Sequence, residues 1–264
     1  MSEEATQVPV SYRKQGAVAV LMLNRPGSLN AINEALSTAL GASLKRAESD
    51  PEIRAIVLTG AGRAFCAGAD LKAVAAGEHL SDPAHPEWGA AGYVRHWVRK
   101  PTISAVNGIA LGGGTELILA SDLAVADEFA ELGLPEVTRG IVAGAGGLVR
   151  LPQQIPRKLA LEMALTGDRI SAARALKLGL INKVAPTGTA LTVALELART
   201  IAANAPLAVR ESKALIHKAA HADDWDDPIW AQNDAVMRLV FASADAQEGP
   251  RAFTEKRPPE WTGN

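Results

Sequence analysis

Cysteine, aromatic residues and long apolar runs are all scarce in this sequence of 264 residues. The single cysteine, Cys66, excludes an internal disulfide and a zinc site built on cysteines. The longest strictly apolar run, residues 17–23, is far shorter than the roughly 20 residues that a membrane-spanning helix needs. The five histidines are scattered without metal-ligand spacing. We therefore expect no membrane insertion and no metal site.

A strong charge of either sign is also missing. Lys and Arg total 27 against 29 Asp and Glu, so the net charge of −2 gives no general attraction to nucleic acid or to anionic membranes. The opening MSEEATQVPV has acids where a signal peptide would have basic and then apolar residues. These features predict a cytoplasmic protein that holds any anionic ligand through local groups.

Apolar patterning predicts strands that alternate with helices. Strands are expected at residues 17–23 and 53–59, with a helix at 32–47 between them. The pattern recurs with a helix at 88–99, a strand at 102–106, a short helix after glycines 112–114 and a strand at 122–126. Such alternation is typical of an α/β protein with parallel pairing. From about residue 188 the pattern is helical, with helices expected at 192–204, 208–220 and 229–241.

The first stretch that suggests chemistry is GAGRAFCAGADLK, residues 60–72. It follows a predicted strand, and its glycines can leave backbone N–H groups free to face an anion or a developing oxyanion. It lacks both GxGxxG and the Gly-Lys-Ser/Thr of a phosphate loop. No histidine lies in the motifs to activate Cys66, so we expect this residue to be a packing residue rather than a nucleophile.

The second stretch, NGIALGGGTELIL at residues 107–119, places three glycines before a short helix that carries Glu116. The third, residues 131–146, places Glu136 after Pro135 in a glycine-rich loop. Each acid alone could stabilise a helix end or be solvated. Together, two glutamates beside one pocket would supply a general base and a general acid without a metal.

Six ordered motifs closely resemble the crotonase (enoyl-CoA hydratase/isomerase) family over nearly the whole chain. They are LNRPGSLNAIN, GAGRAFCAGADLK, AVNGIALGGGTEL, LPEVTRGIVAGAGGLVRLPQQIP, ALTGDRISAARALKLGLINKV and EGPRAFTEKRPPEW. The resemblance implies a spiral of strand–strand–helix repeats in residues 1–187. It also implies a helical C-terminal region, residues 188–264, that builds a homotrimer or a homohexamer.

The resemblance assigns roles to four residues. The N–H groups of Ala67 and Gly113 would form the oxyanion hole for a thioester carbonyl. Glu116 would activate water for attack at Cβ, and Glu136 would deliver a proton to Cα. Relatives that isomerise, cleave or hydrolyse often lack one of the two acids, so the presence of both favours reversible hydration of a 2-enoyl-CoA.

Coenzyme A would be part of the substrate, and no separate cofactor is implied. The resemblance places around it Arg25, Ser28, Leu29, Ala67, Gly68, Ala69, Asp70 and Leu71. In many relatives a lysine precedes the leucine of the first motif by two residues, whereas Gly27 and Ser28 occupy that neighbourhood here. Phe253 and Lys256 resemble residues that reach the adenine end, and a neighbouring subunit could supply them.

Three other functions remain open: a carnitinyl-CoA dehydratase, an enoyl-CoA isomerase using one acid, and a catalytically silent acyl-CoA-binding relative. The first would need aromatic faces or a carboxylate for a quaternary ammonium. Trp88, Tyr93 and Trp97 are the aromatic residues available in the expected pocket wall, and Tyr93 and Trp97 would share one helix face. This set makes an incomplete cage, so we expect neutral substrates to be preferred to crotonobetainyl-CoA.

Overall fold

The computed structural model describes residues 8–220, 222 and 227–264. Residues 1–7, most of the segment used above to predict the cellular location, lie outside the described residues. The described residues form ten strands: β1 Val10–Gln15, β2 Val18–Leu23, β3 Ala55–Gly60, β4 Ala64–Cys66, β5 Thr102–Val106, β6 Ile109–Leu111, β7 Leu123–Asp127, β8 Glu131–Gly133, β9 Arg169–Ser171 and β10 Lys183–Ala185. They also form ten α-helices: α1 Glu34–Ser49, α2 Leu71–Ala75, α3 Gly113–Ala120, α4 Gly147–Gln154, α5 Arg157–Thr166, α6 Ala172–Leu178, α7 Ala190–Ala202, α8 Pro206–Ala219, α9 Asp227–Phe241 and α10 Ala244–Glu255.

The larger of two sheets has the strand order β1-β2-β3-β5-β7-β10. Its strands pair in parallel, except that β1 and β2 are antiparallel. All residues of β3 and β5 are buried, which explains their nearly continuous apolar sequences, since such a strand is covered on both faces. The predicted α/β architecture with parallel pairing is confirmed.

The smaller sheet has the order β4-β6-β8-β9 and uses strands of three residues. Each of β4, β6 and β8 follows directly after a strand of the larger sheet. The chain therefore passes from the large sheet to the small sheet and then into a helical segment before it returns. These strand–strand–helix turns bring the ends of successive small strands to one place, where the candidate site lies.

Most predicted elements begin and end within two residues of the observed ones. The strand predicted at 102–106 matches β5, and the helix predicted at 32–47 is α1. This helix begins where the Asn33 side chain accepts a hydrogen bond from the Leu36 N–H (3.1 Å), a cap that satisfies an otherwise free donor.

The helix predicted at residues 88–99 is wrong. A 3-10 turn covers Pro86–Trp88, and turns follow it. Gly92 has a φ of +62°, which a right-handed helix cannot contain, and a Cβ there would lie 2.3 Å from the Ser37 carbonyl oxygen. The segment therefore lies against α1 through a close backbone approach, and the Trp88 ring stacks on His96 with 4.2 Å between centroids.

The three predicted C-terminal helices correspond to α7, α8 and α9. Helix α7 buries Ala194 and Ala198 in the same apolar cluster as Val57 of the large sheet. Helix α9, in contrast, has no buried residue. A division of the chain at residue 188 stays a prediction. Among the described residues, no helix is both long enough and apolar enough to cross a membrane.

Candidate active site

A cavity of about 560 Å³ lies where the first helical turn of α3 meets the segment after β4. Two parts of its lining carry the argument, and we name them by composition. The glycine wall consists of Ala67, Gly68, Ala69, Gly112, Gly113, Glu116 and Glu136. The arginine wall consists of Ala90, Val94, Arg95, Arg139, Ile141 and Val142.

Two backbone donors of the glycine wall have no acceptor among the described residues: the N–H groups of Ala69 and Gly113. Residues 67–70 run beside Ile32, whose N–H donates to the Gly68 carbonyl (2.8 Å) and whose carbonyl accepts from the Asp70 N–H (2.8 Å). This pairing turns the Ala69 N–H away from Ile32. Gly68 approaches Gly113 closely, since a Cβ on Gly113 would lie 3.6 Å from the Gly68 Cα.

The Ala67 N–H is already used, because it donates to the Leu29 carbonyl at 3.0 Å. This bond contradicts the predicted role of Ala67 as an oxyanion donor, since a donor held by a backbone carbonyl is not free for a ligand. Gly113, the other predicted donor, lies at the first turn of α3, where helical N–H groups lack partners within the helix.

Glu116 lies in the first turn of α3, and only 3% of its surface is exposed. Its Oε1 accepts a hydrogen bond from the Gly147 N–H at 2.8 Å. Burial raises the pKa of Glu116 to about 7, and repulsion from Glu136 adds to this, while the hydrogen bond from Gly147 opposes it. The carboxyl group can therefore take up or release a proton near neutral pH.

Glu136 lies in a 3-10 helix, Pro135–Arg139, rather than in the irregular loop that its sequence predicted. Pro135 at the first position starts such a turn readily, because its φ is fixed and no N–H is lost. Burial raises the pKa of Glu136. Its Oε2 is buried and has no hydrogen-bond partner among the described residues. An unpartnered buried oxygen at a cavity is a costly feature that a ligand could satisfy.

Gly112 allows Glu136 to reach the cavity. Its φ of +53° is accessible to glycine at little cost, and a Cβ there would lie 2.8 Å from Oε1 of Glu136. Any side chain would therefore displace the carboxylate. The structure thus brings both predicted acids into one cavity beside the free N–H groups of Ala69 and Gly113.

The arginine wall carries charges that sequence analysis missed. Neither Arg95 nor Arg139 forms an ion pair with an acid among the described residues, whereas Arg169, which also lines the cavity, pairs with Glu131 at 2.9 Å. Within the described chain no aromatic residue lines this cavity. The wall therefore combines apolar side chains with two guanidinium groups that lack a counter-ion.

The predicted aromatic face is not part of the cavity. Tyr93 is buried, and its hydroxyl lies 3.0 Å from that of Ser121. Trp97 is 51% exposed and packs edge-on to His217. Because residues 88–99 are not helical, Tyr93 and Trp97 do not share a helix face. Trp88 is held in its stack with His85 and His96.

A second cavity, of about 710 Å³, contains most of the residues predicted to contact coenzyme A. Its lining includes Arg25, Ser28, Leu29, Ala69, Asp70 and Leu71. Arg25 pairs with Asp70 at 2.9 Å, and Asp70 caps α2 by accepting from two backbone N–H groups. The two cavities share Ala69 and Leu71, so they meet beside the free Ala69 N–H.

Phe253 and Lys256 line neither cavity in this chain. Phe253 is 86% exposed, and Lys256 ends α10 in the left-handed conformation. Cys66 is fully buried, and burial raises the pKa of its thiol to about 12, which agrees with a packing residue. Among the described residues there is no group of three or more His, Cys, Asp or Glu that could hold a metal ion.

Sequence reasoning placed Ala69 beside coenzyme A but missed it as a free backbone donor, and it missed Gly147 and the two arginines. The CAGAD motif shows that the turn contains backbone donors, but only the pairing with Ile32 distinguishes Ala69 from Ala67. Gly147 stands in the GAGG run after Glu136, and that glycine run was a usable signal for close contact with a buried acid.

Comparison with known proteins supports the family resemblance along nearly the whole chain. The profile of the family described as enoyl-CoA hydratase/isomerase matches residues 13–264. A carnitinyl-CoA dehydratase from Proteus mirabilis (strain HI4320) is 41% identical over 94% of this chain and 96% of its own. Enoyl-CoA hydratase EchA19 from Mycobacterium tuberculosis is 40% identical over 94% of each chain.

Solved structures of related proteins have nearly the same fold as this chain. The crystal structure of enoyl-CoA hydratase EchA1 from Mycobacterium marinum superposes with a TM-score of 0.93 at 44% identity, over 98% of this chain and 100% of its own. The predicted crotonase-like fold is therefore confirmed. Family profile, relatives and fold agree: the chain belongs to the enoyl-CoA hydratase/isomerase, or crotonase, family.

Proposed function

We propose that this protein is an enoyl-CoA hydratase, a hydro-lyase that reversibly adds water across the double bond of a 2-enoyl-CoA. The observation that carries the proposal is that the buried Glu116, the partly buried Glu136 and two free backbone donors line one cavity. Similarity to proteins named as enoyl-CoA hydratases supports the same reaction. A role in cytoplasmic fatty acid β-oxidation would suit this chemistry.

The Ala69 and Gly113 N–H groups would bind the thioester oxygen. Polarising this oxygen stabilises the enolate that forms when a nucleophile adds to Cβ, and one such donor is typically worth about 100-fold to 1,000-fold in rate. Ala69 replaces Ala67 in this role because the Ala67 N–H is held by Leu29. Neither a metal nor a separate cofactor takes part in this proposal.

Glu116 would act as the base and Glu136 as the acid. Glu116 removes a proton from water while the water oxygen bonds to Cβ, and the electron pair of the double bond moves onto the thioester. Glu136 then delivers its proton to Cα as the enolate collapses. The raised pKa values suit both roles, because a catalytic group works best with a pKa near the working pH. Exchange with solvent returns both acids to their starting protonation.

Coenzyme A would occupy the second cavity, with its thioester at the junction beside Ala69. Arg25, Ser28, Leu29, Asp70 and Leu71 would line its path, and Gly68 would allow close approach. Arg25 is engaged by Asp70, so the pair would act as one polar surface. Phe253 and Lys256 would reach the adenine end from a neighbouring subunit.

Assembly into a homotrimer or homohexamer would bury the surface of α9. This helix has no buried residue, yet Met237, Leu239 and Phe241 are each about half exposed or more. Exposed apolar side chains at this density are typical of an interface. A trimer or hexamer is expected by light scattering at micromolar concentration, and a monomer would contradict this assembly.

Carnitinyl-CoA dehydratase is the second candidate, favoured by the 41% identical relative of that name. The described cavity has neither an aromatic face nor an acid beyond the two glutamates, and its arginine wall would repel a quaternary ammonium. An isomerase would need only one acid. A silent acyl-CoA binder would not require two carboxyl groups that are wholly or partly removed from water, because such burial costs free energy.

Loss of enoyl-thioester absorbance after addition of enzyme to crotonyl-CoA tests the proposal. We expect the absorbance to fall and 3-hydroxybutyryl-CoA to appear, both abolished in a Glu116→Gln/Glu136→Gln double variant that keeps its circular dichroism spectrum. If a 3-enoyl-CoA is converted to the 2-enoyl isomer while crotonyl-CoA is left unhydrated, the isomerase function replaces this one. Binding of crotonyl-CoA without turnover would favour the silent binder.

A further inference from the structure

Arg95 and Arg139 are two positive charges in the cavity that the proposed reaction does not use. Both side chains are exposed and line the cavity. The hydrogen bond described for the Arg139 guanidinium goes to the Thr138 carbonyl at 3.4 Å, which is long. Neither arginine pairs with an acid among the described residues, unlike Arg169 beside Glu131. Their charge is therefore available to a ligand.

These arginines do not neutralise the catalytic pair. No ion pair within 4.0 Å joins Arg95 or Arg139 to Glu116 or Glu136, although all four residues line the same cavity. Oε2 of Glu136 remains without a partner even though two guanidinium groups line its cavity. The two positive charges thus lie beyond ion-pair distance of both carboxyl groups.

The junction of the two cavities determines which part of a substrate meets the arginine wall. With coenzyme A in the second cavity and the thioester beside Ala69, the acyl chain extends into the first cavity. Val94, Ile141 and Val142 of the arginine wall offer it apolar contact. Arg95 and Arg139, which line only the first of these two cavities, are then left for the end of the chain.

A neutral acyl chain is a poor match for this wall. It would strip water from two guanidinium groups and offer no hydrogen bond in return, which is unfavourable. A terminal carboxylate would instead form charge-assisted hydrogen bonds, and guanidinium geometry favours such pairs. Resting on the proposed hydratase function, we propose that the preferred substrates are 2-enoyl-CoA thioesters whose acyl chain ends in a carboxylate held by Arg95 and Arg139.

Two substrates of equal length test this inference, 2-hexenedioyl-CoA and 2-hexenoyl-CoA, which differ at the far end of the acyl chain. We expect the dioyl thioester to have a kcat/KM at least about tenfold higher, a difference of about 1.4 kcal/mol in transition-state binding. Added NaCl should reduce this ratio, because salt screens exposed charges. Arg95→Gln and Arg139→Gln should each lower it, and the double variant should lower it about tenfold.

Arg174→Gln provides the matched control, because Arg174 is exposed, forms no described ion pair and lines neither cavity. It should leave the ratio unchanged. Hydration of 2-hexenoyl-CoA at equal or greater kcat/KM would overturn the inference and leave the hydratase function intact. A preference for the dioyl thioester that survives the double variant would overturn the role of the arginines. Failure to hydrate either substrate would overturn the proposed function and this inference with it.

Discussion

The glycine wall and the arginine wall of the cavity are built in different ways. The glycine wall presents backbone N–H groups and two shielded carboxyl groups, and these are held by the small sheet, the start of α3 and a 3-10 helix. The arginine wall presents side chains that are largely exposed, namely those of Arg95, Arg139, Ile141 and Val142. The backbone groups of the glycine wall cannot be altered by replacing a side chain alone. The chemistry of the arginine wall, in contrast, changes with a single substitution.

This contrast separates chemistry from selection. In the proposed reaction the backbone donors and the two acids act on atoms common to every 2-enoyl thioester, and their positions depend on main-chain geometry. Exposed side chains act on the part of the substrate that differs between members of a family. Changes in the glycine wall should therefore alter turnover of all substrates alike, and changes in the arginine wall should alter the ranking of substrates.

The largest effect is expected from the two acids of the glycine wall. Glu116→Gln and Glu136→Gln preserve side-chain size but remove the base or the proton donor, so each should lower hydration of crotonyl-CoA by at least about 100-fold. Initial rates at saturating substrate measure this. Glu162→Gln, an exposed acid on α5, is the control and should have a normal rate. Near-normal turnover in either active-site variant would remove that glutamate from the mechanism.

The predictability of the two walls differs for the same structural reason. The CAGAD and GGGTE motifs predict local backbone donors and a glutamate at the first turn of a helix, and these features depend on neighbouring residues. The choice between Ala67 and Ala69 depends instead on pairing with Ile32, 37 residues earlier, which local sequence does not encode. The part of the arginine wall within residues 88–99 was predicted as a helix, but the close approach of Gly92 to α1 prevents one.

The second largest effect is expected on the free energy of unfolding, because the burial of Glu116 lowers stability when its carboxyl group is charged. The pKa of Glu116 is raised from 4.5 to about 7, so the folded state binds this proton more tightly than the unfolded chain, and stability falls as pH rises through that window. Glu116→Gln removes the titrating group and keeps an oxygen to accept from the Gly147 N–H. The free energy of unfolding of the variant, relative to the parent, should therefore rise by about 2 kcal/mol between pH 5 and pH 8.

Urea unfolding of parent and variant at the two pH values, at one protein concentration, measures this difference. Glu162→Gln again serves as the control, because an exposed glutamate should show almost no such pH dependence. Parallel pH dependence of the parent and Glu116→Gln would mean that Glu116 is not held in a costly environment. The carboxyl group of Glu116 in the glycine wall would then cost no more stability than an exposed group.

A third effect tests the charge of the arginine wall with a cation. Crotonobetainyl-CoA should have a kcat/KM at least about tenfold lower than 5,5-dimethyl-2-hexenoyl-CoA, which has a carbon in place of the quaternary nitrogen and so matches it in shape. Repulsion from Arg95 and Arg139, without an aromatic face to offset it, is the physical reason. A tenfold preference for the betaine thioester would instead promote the carnitinyl-CoA dehydratase function.

The smallest effect is expected at Trp97, and it tests where the arginine wall ends. Trp97 lies two residues after Arg95 but is turned away from the cavity, with its ring beside His217 and 5.1 Å from Nζ of Lys213. Trp97→Ala removes these contacts with α8 and leaves the cavity lining intact, so kcat/KM for crotonyl-CoA should change by less than about twofold, or roughly 0.4 kcal/mol. Arg95→Gln, measured on 2-hexenedioyl-CoA in parallel, shows the size of a change within the wall. A tenfold loss in Trp97→Ala for crotonyl-CoA, with the variant still folded by circular dichroism, would mean that the aromatic side chain contacts substrate after all.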